Sequence, residues 1–233
     1  MTSAESLDHL LALLLDVDPD FDESIALADE LAACGDLSLV PAVEAALEEA
    51  LAAGEFFARD LIAGVLAGLN GPDALPVLLR ASARDLGDDQ DSLLAEVVDL
   101  FAQYPGAARA AALPLVEEPD ARLRAVGVWT LGFASGPQDV ELFARTAADE
   151  SGEVRGATAG ALGSHAAGLP KAVDLLIALL ADPEPQVRID ALAALGESRQ
   201  ARALQAVRTL AEDPDEGVRR WAVISADRLT PYQ

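Results

Sequence analysis

The chain has 233 residues, 52% of them hydrophobic and 4% aromatic, which is enough apolar content for a buried core and too much for an intrinsically disordered chain. Forty acidic residues stand against sixteen basic ones, a net charge of −24, and that field opposes nucleic-acid backbones and anionic lipid headgroups while attracting cationic partners. The same charge also serves solubility or a high-salt habitat, and composition alone leaves both readings open.

At the N-terminus an apolar stretch, Leu10 to Leu15, is preceded by Glu5 and Asp8 and lacks a basic segment, so it does not read as a signal peptide. No apolar run is expected to reach transmembrane length, and the default location is the cytoplasm. Helical periodicity then predicts seven pairs. The first is Leu7 to Leu15 with Ser24 to Ala33, where the single cysteine, Cys34, reads as buried and inert. The second is Pro41 to Ala53 with Phe57 to Leu69, and the third Pro72 to Leu86 with Ser92 to Tyr104. The fourth is Ala107 to Glu117 with Ala121 to Phe133, and the fifth Pro137 to Ala148 with Glu153 to His165. The sixth is Pro170 to Ala181 with Pro185 to Glu197, and the seventh Gln200 to Ala211 with Glu216 to Leu229. Pro41, Pro72, Pro137 and Pro170 sit near first-helix starts, where a missing N–H costs least. No strand alternation and no interdomain linker interrupts the pattern, so 1–233 is expected to form one domain.

The C-terminal half repeats itself. Asp182-Pro183 is followed by Val187-Arg188 and then Ala194-Leu195-Gly196. Asp213-Pro214 is followed by Val218-Arg219, Asp149 by Val154-Arg155 and Ala161-Leu162-Gly163, and Glu118-Pro119 by Leu123-Arg124 and Leu131-Gly132. The four arginines are 31, 33 and 31 residues apart, a phase that chance would not hold. This pattern resembles the HEAT repeat, in the short variety related to phycobilisome-lyase repeats. The likeness is clearest over residues 107–229 and weak over 1–106, where Ala58-Arg59 is the one visible remnant. The resemblance implies an all-α, right-handed α-solenoid of about seven pairs. Asp is expected to cap the second helix, and each Arg to reach the Asp of its own or a neighbouring turn, six residues away in the first case.

In HEAT arrays the second helices line the concave face. The resemblance therefore places Arg122, Trp129 and Phe133, then Glu153, Gly156, Ala157, Gly160 and Ser164, then Gln186, Asp190, Ala193 and Glu197, and finally Arg220 and Trp221 in a groove. Glu96, Asp99, Gln103, Asp60, Leu61 and Gly64 are the weaker equivalents upstream. With aromatics so scarce, two tryptophans on that face suggest a binding surface, and packing between helices is the alternative for each. Gly156, Ala157 and Gly160 leave a shallow floor or serve close helix packing. Acidic turns, including Asp182, Glu184 and Glu153, form an expected rim, which runs on through Asp18, Asp20 and Asp22 and the Asp85 to Asp91 loop.

Catalytic constellations are scarce. His9 and His165 are the only histidines and neither lies in a His-Glu motif, unlike the iron-binding HEAT enzyme deoxyhypusine hydroxylase. No phosphate loop or dinucleotide fingerprint occurs, and no nucleophile sits beside a base in a recognisable motif. Asp190, Trp129 and Trp221 resemble the set of HEAT-like DNA glycosylases, but the acidic groove opposes DNA. A bilin lyase or isomerase subunit is a second alternative. The expectation is a non-enzymatic scaffold without cofactor or metal that binds a basic protein, either as an antidote or as an adaptor.

Overall fold

The computed structural model describes residues 2–15, 20–84, 87 and 91–230. Among them are fourteen α-helices and no strand, and they fall into two compact units, 1–111 and 112–233. The division lies inside one helix, α7 (Pro105–Leu115).

The first unit holds three helical pairs: α1 (Ser3–Leu14) with α2 (Phe21–Ala33), α3 (Val40–Ala53) with α4 (Phe56–Asn70), and α5 (Leu75–Ser82) with α6 (Asp91–Gln103). The second helices α2, α4 and α6 pack side by side, and Leu31, Leu47, Leu66, Leu78 and Leu93 are fully enclosed. α1 starts four residues earlier than the apolar pattern suggests, because Thr2 and Glu5 close a capping box around its first turn. Gly68 marks the closest approach of α4 to α2, since a Cβ there would lie 2.6 Å from that of Ala32. Cys34 caps the end of α2 and is exposed, which corrects its expected burial: it falls one residue past the last helical turn.

The stretch Phe56–Ser82 contains an 18-residue window of mean hydropathy 1.4, which passes for a membrane span by length and composition alone. Half of its most apolar window is buried inside the protein. The run is also two helices, broken at Gly71, whose φ of 53° opens a 3-10 turn over Gly71–Ala74.

The second unit contains α8 (Ala121–Ala134), α9 (Val140–Thr146), α10 (Gly152–Ala166), α11 (Pro170–Leu179), α12 (Pro185–Ser198), α13 (Leu204–Thr209) and α14 (Glu216–Leu229). α8, α10, α12 and α14 stack in order, with α9 and α11 each against the second helix that follows in its pair. Phe143, Leu131, Leu162, Leu176, Leu192 and Leu195 fill the space between them. One small-residue contact recurs at every step: Gly132 against Ala161, Gly163 against Ala194, Gly196 against Ser225, with room for little more than a hydrogen at the glycine. The recurring Gly mark is therefore a close contact between repeats, and α8, α10 and α12 each run on beyond it.

The Asp and Arg marks form a ladder. Arg124 donates from Nε and Nη2 to Asp149 at 3.0 and 2.9 Å, Arg155 likewise to Asp182 at 2.6 and 2.9 Å, and Arg188 from Nη2 to Asp213 at 2.8 Å. Each partner belongs to the next repeat, 25 to 27 residues on. The six-residue spacing has a different cause. Nη1 of Arg155 bonds the main-chain oxygens of Asp149 and Glu150, and Arg188 and Arg219 do the same to Asp182-Pro183 and Asp213-Pro214. Nor does the first Asp of each turn cap its helix: Asp149, Asp182 and Asp213 accept the N–H two residues ahead, closing an Asx turn, and the N-cap falls two residues later. Side-chain caps come from Asp120 and Asp215. Arg155, Arg188, Asp182 and Asp213 are buried, so Asp182 is part of the frame and its carboxylate is not available on an outer rim.

Candidate functional site

Three consecutive second helices of the second unit build a groove. α8 contributes Trp129 and Phe133, one turn apart; α10 contributes Gly156, Ala157, Gly160 and Ser164; α12 contributes Asp190, Ala193 and Glu197. The residues of each helix recur at three- and four-residue intervals, which puts them on one helical face. The groove is half open to solvent and has a volume of about 580 Å³. Its apolar side is the edge-to-face pair of Trp129 and Phe133, ring centres 5.3 Å apart, with Phe133 53% exposed.

The floor is bare backbone. A Cβ on Gly160 would meet nothing within 4 Å, and the site of one on Gly156 lies 2.6 Å from Oδ2 of Asp190. The Asp190 carboxylate is thus folded back against α10. Burial raises its pKa above the ordinary carboxylate value, and a 2.9 Å hydrogen bond donated by the Gln186 amide to Oδ1 offsets this only in part. Glu197 is exposed and lies 3.7 Å from Arg228 of α14. A second cavity of about 560 Å³ continues from Glu197 past Arg199, Arg228 and Thr230.

The other expected site residues divide clearly. Trp221 packs against the buried core of α12 and α14, whereas Trp129 lines the groove. Arg122, Glu153 and Arg220 are exposed on their helices, and Glu184 receives a 3.1 Å hydrogen bond from Arg155. In the first unit Glu96 lies against Gly64, and burial, with the charges of Asp99 and Asp29, raises its pKa. Of the expected rim, Asp20 caps α2, while Asp18, Asp85, Asp88 and Asp89 lie outside the described residues, as does the Asp91 side chain.

One pairing escaped the sequence reading. The Ser135 hydroxyl is 2.7 Å from Nε2 of His165, whose ring is tilted over Phe143. The two are 30 residues apart, one repeat, which is the only signal that could have joined them. A hydroxyl beside an imidazole is half of a nucleophile–base arrangement, but among the described residues no carboxylate bonds the other ring nitrogen. The pair ties the loop after α8 to the last turn of α10. No group of three His, Cys, Asp or Glu side chains among the described residues is placed to hold a metal.

Among known proteins, the family described as HEAT repeats matches residues 140–227. The phycocyanin lyase complex of CpcE and CpcF from Nostoc sp. has a similar structure, with a TM-score of 0.53 and 22% identity over 65% of this chain and 97% of that one. Human deoxyhypusine hydroxylase aligns with a TM-score of 0.44 and 19% identity over 97% of this chain and 96% of that one. A designed armadillo repeat protein in complex with the peptide (KR)4 aligns at 0.46 and 17%, over 96% and 99%. No curated protein matches the sequence. The small-residue contacts, the arginine ladder and the family match coincide in one stretch of the chain: residues 140–227 match the HEAT repeats.

Proposed function

We propose that this protein is a binding scaffold that seats a basic protein in the groove of α8, α10 and α12, with no catalytic step of its own. The observation that carries the reading is the pair of half-buried Trp129 and exposed Phe133 beside the carboxylates of Asp190 and Glu197 in one concavity. Aromatic anchors flanked by charge are the usual centre of a protein interface, and a net charge of −24 selects for a cationic partner. The fold is compatible with such assembly, since the Nostoc structure is itself a complex of two chains.

The test is capture from native lysate on immobilised protein, in parallel with a Trp129→Ala, Phe133→Ala double variant. A basic protein retained at low salt, released at high salt and absent from the variant supports the reading. Equal capture by the variant overturns it. A second reading, a lyase-like subunit, draws on the structural likeness to the phycocyanin lyase complex. A coloured tetrapyrrole co-eluting with the captured material would favour it.

A further inference from the structure

We propose that the groove holds an arginine side chain, carried on an extended segment of the basic partner, and that Asp190 is the residue that receives the guanidinium. The inference rests on the reading of the groove as the binding face and names what that face recognises.

The argument begins with an unbalanced charge. Asp190 lies on the second turn of α12, and its carboxylate crosses to α10, where it occupies the space a side chain on Gly156 would take. That position removes it from much of the solvent without providing a counter-charge. An ionised carboxylate can accept about four hydrogen bonds. Among the described residues Asp190 receives one, from Gln186, and no cation reaches it. The ladder acids of this unit, Asp149, Asp182 and Asp213, each face an arginine. Asp190 faces a cavity instead. A carboxylate held there costs free energy in the free protein, and a cation supplied from outside recovers it.

Three features select arginine over lysine. The bare backbone at Gly160, with the Asp190 carboxylate lying over Gly156, leaves a flat floor that a planar group can cover. Trp129 and Phe133 line the same space and offer ring surface to a guanidinium or its stem. Guanidinium is also less strongly hydrated than ammonium, so entering a half-enclosed site costs it less, and its fork suits a carboxylate with free lone pairs on both oxygens. A volume of about 580 Å³ accommodates such a side chain with parts of its neighbours.

The experiment titrates the full chain in a Trp221→Phe background, so that fluorescence reports Trp129 alone. The probes are acetylated, amidated peptides of alternating glycine and arginine, with lysine and norleucine counterparts. The arginine peptide should saturate the signal, the lysine peptide should bind about fivefold or more weakly, and the norleucine peptide should not bind. Asp190→Asn and Gly160→Leu should each weaken the arginine peptide about tenfold. Position 160 opens onto empty space, so Gly160→Leu should fold with an unchanged helical spectrum, and loss of binding will then reflect a filled groove. Equal affinities for arginine and lysine, or an Asp190→Asn variant that binds normally, overturn the proposal. If the arginine peptide fails while capture of the partner still depends on Trp129, the arginine assignment falls and the groove reading stands. If capture is indifferent to Trp129 and Phe133, the groove reading falls with it.

Discussion

Arg155 makes five hydrogen bonds to two neighbouring turns: two to the Asp182 carboxylate, one to Glu184 and two to main-chain oxygens of its own turn. Removing the carboxylate leaves a buried guanidinium and an orphaned Glu184 N–H. Asp182→Ala should therefore cost about 3 kcal/mol in denaturant unfolding, whereas Arg202→Ala, which breaks the exposed pair with Asp174, should stay within about 1 kcal/mol. The pH dependence has two opposing parts. Burial alone would raise Asp182 and Asp213, but the bonds and charges of Arg155 and Arg188 outweigh it and hold both below the ordinary value. The Arg124 hydrogen bond is the main cause for Asp149. The ladder's contribution is complete above the unfolded carboxylate pKa and is lost as pH falls through the lower folded values. Asp190 runs the other way: its raised pKa means that its ionised form costs stability. Asp190→Asn should thus raise the denaturation midpoint at neutral pH, and the gain should close on acidification through the range where Asp190 takes up its proton. A midpoint difference independent of pH would contradict the burial of this carboxylate. The sequence shows that an Asp and an Arg recur in phase, but a ladder within one turn and a ladder between turns have the same period. Only the placement of Nη1 on the carbonyls and of Nε and Nη2 on the next repeat separates them.

Glycine has two opposite roles along second helices, and spacing alone does not distinguish them. Gly68 in α4 meets Ala32 of α2 at 2.6 Å from the site of a Cβ and its carbonyl oxygen at 2.8 Å, so Gly68→Ala must push two helices apart. A cost of about 1–3 kcal/mol is expected. Gly160 in α10 faces open space, and Gly160→Ala should stabilise by about 0.5–1 kcal/mol through helix propensity. Thermal unfolding of the two variants should move in opposite directions, and shifts of the same sign would show that one of these faces is wrongly placed. The fourteen helices are legible in the sequence from apolar periodicity, with proline marking several of the starts. The deviations are short. α9 and α13 begin three or four residues later than expected, behind the 3-10 turns Pro137–Asp139 and Ala201–Ala203. That Trp129, Asp190 and Glu197 line one concavity was expected only from the likeness to HEAT arrays, because spacing alone does not say which helix face is concave. The role of Trp221 was not legible: the register assigns it to the same stripe, and only its packing on the core separates it from Trp129.

At the scale of the molecule the decisive quantity is which charges are left for a partner. Much of the small basic complement is spent internally. Arg124, Arg155 and Arg188 hold the ladder, while Arg145 with Glu117, Lys171 with Glu141, and Arg202 with Asp174 pair across successive repeats. The acids greatly outnumber them, so the outward field of the second unit comes from exposed carboxylates such as Glu150 and Glu153, with Asp182 contributing to the frame instead. Long-range attraction and short-range anchoring should then separate kinetically. Reversing Glu150 and Glu153 to lysine should slow association with the basic partner and flatten its salt dependence, with little change in dissociation. Trp129→Ala removes an apolar anchor lining the groove, so it should speed dissociation and cost about 2 kcal/mol or more, with the salt slope intact. Both sites lie outside the core, and neither variant should alter the helical spectrum. Surface-immobilised protein and the captured partner, measured at several salt concentrations, give both rate constants directly. Association that ignores salt, together with a Trp129→Ala variant that dissociates at the normal rate, would move the interface away from α8, α10 and α12.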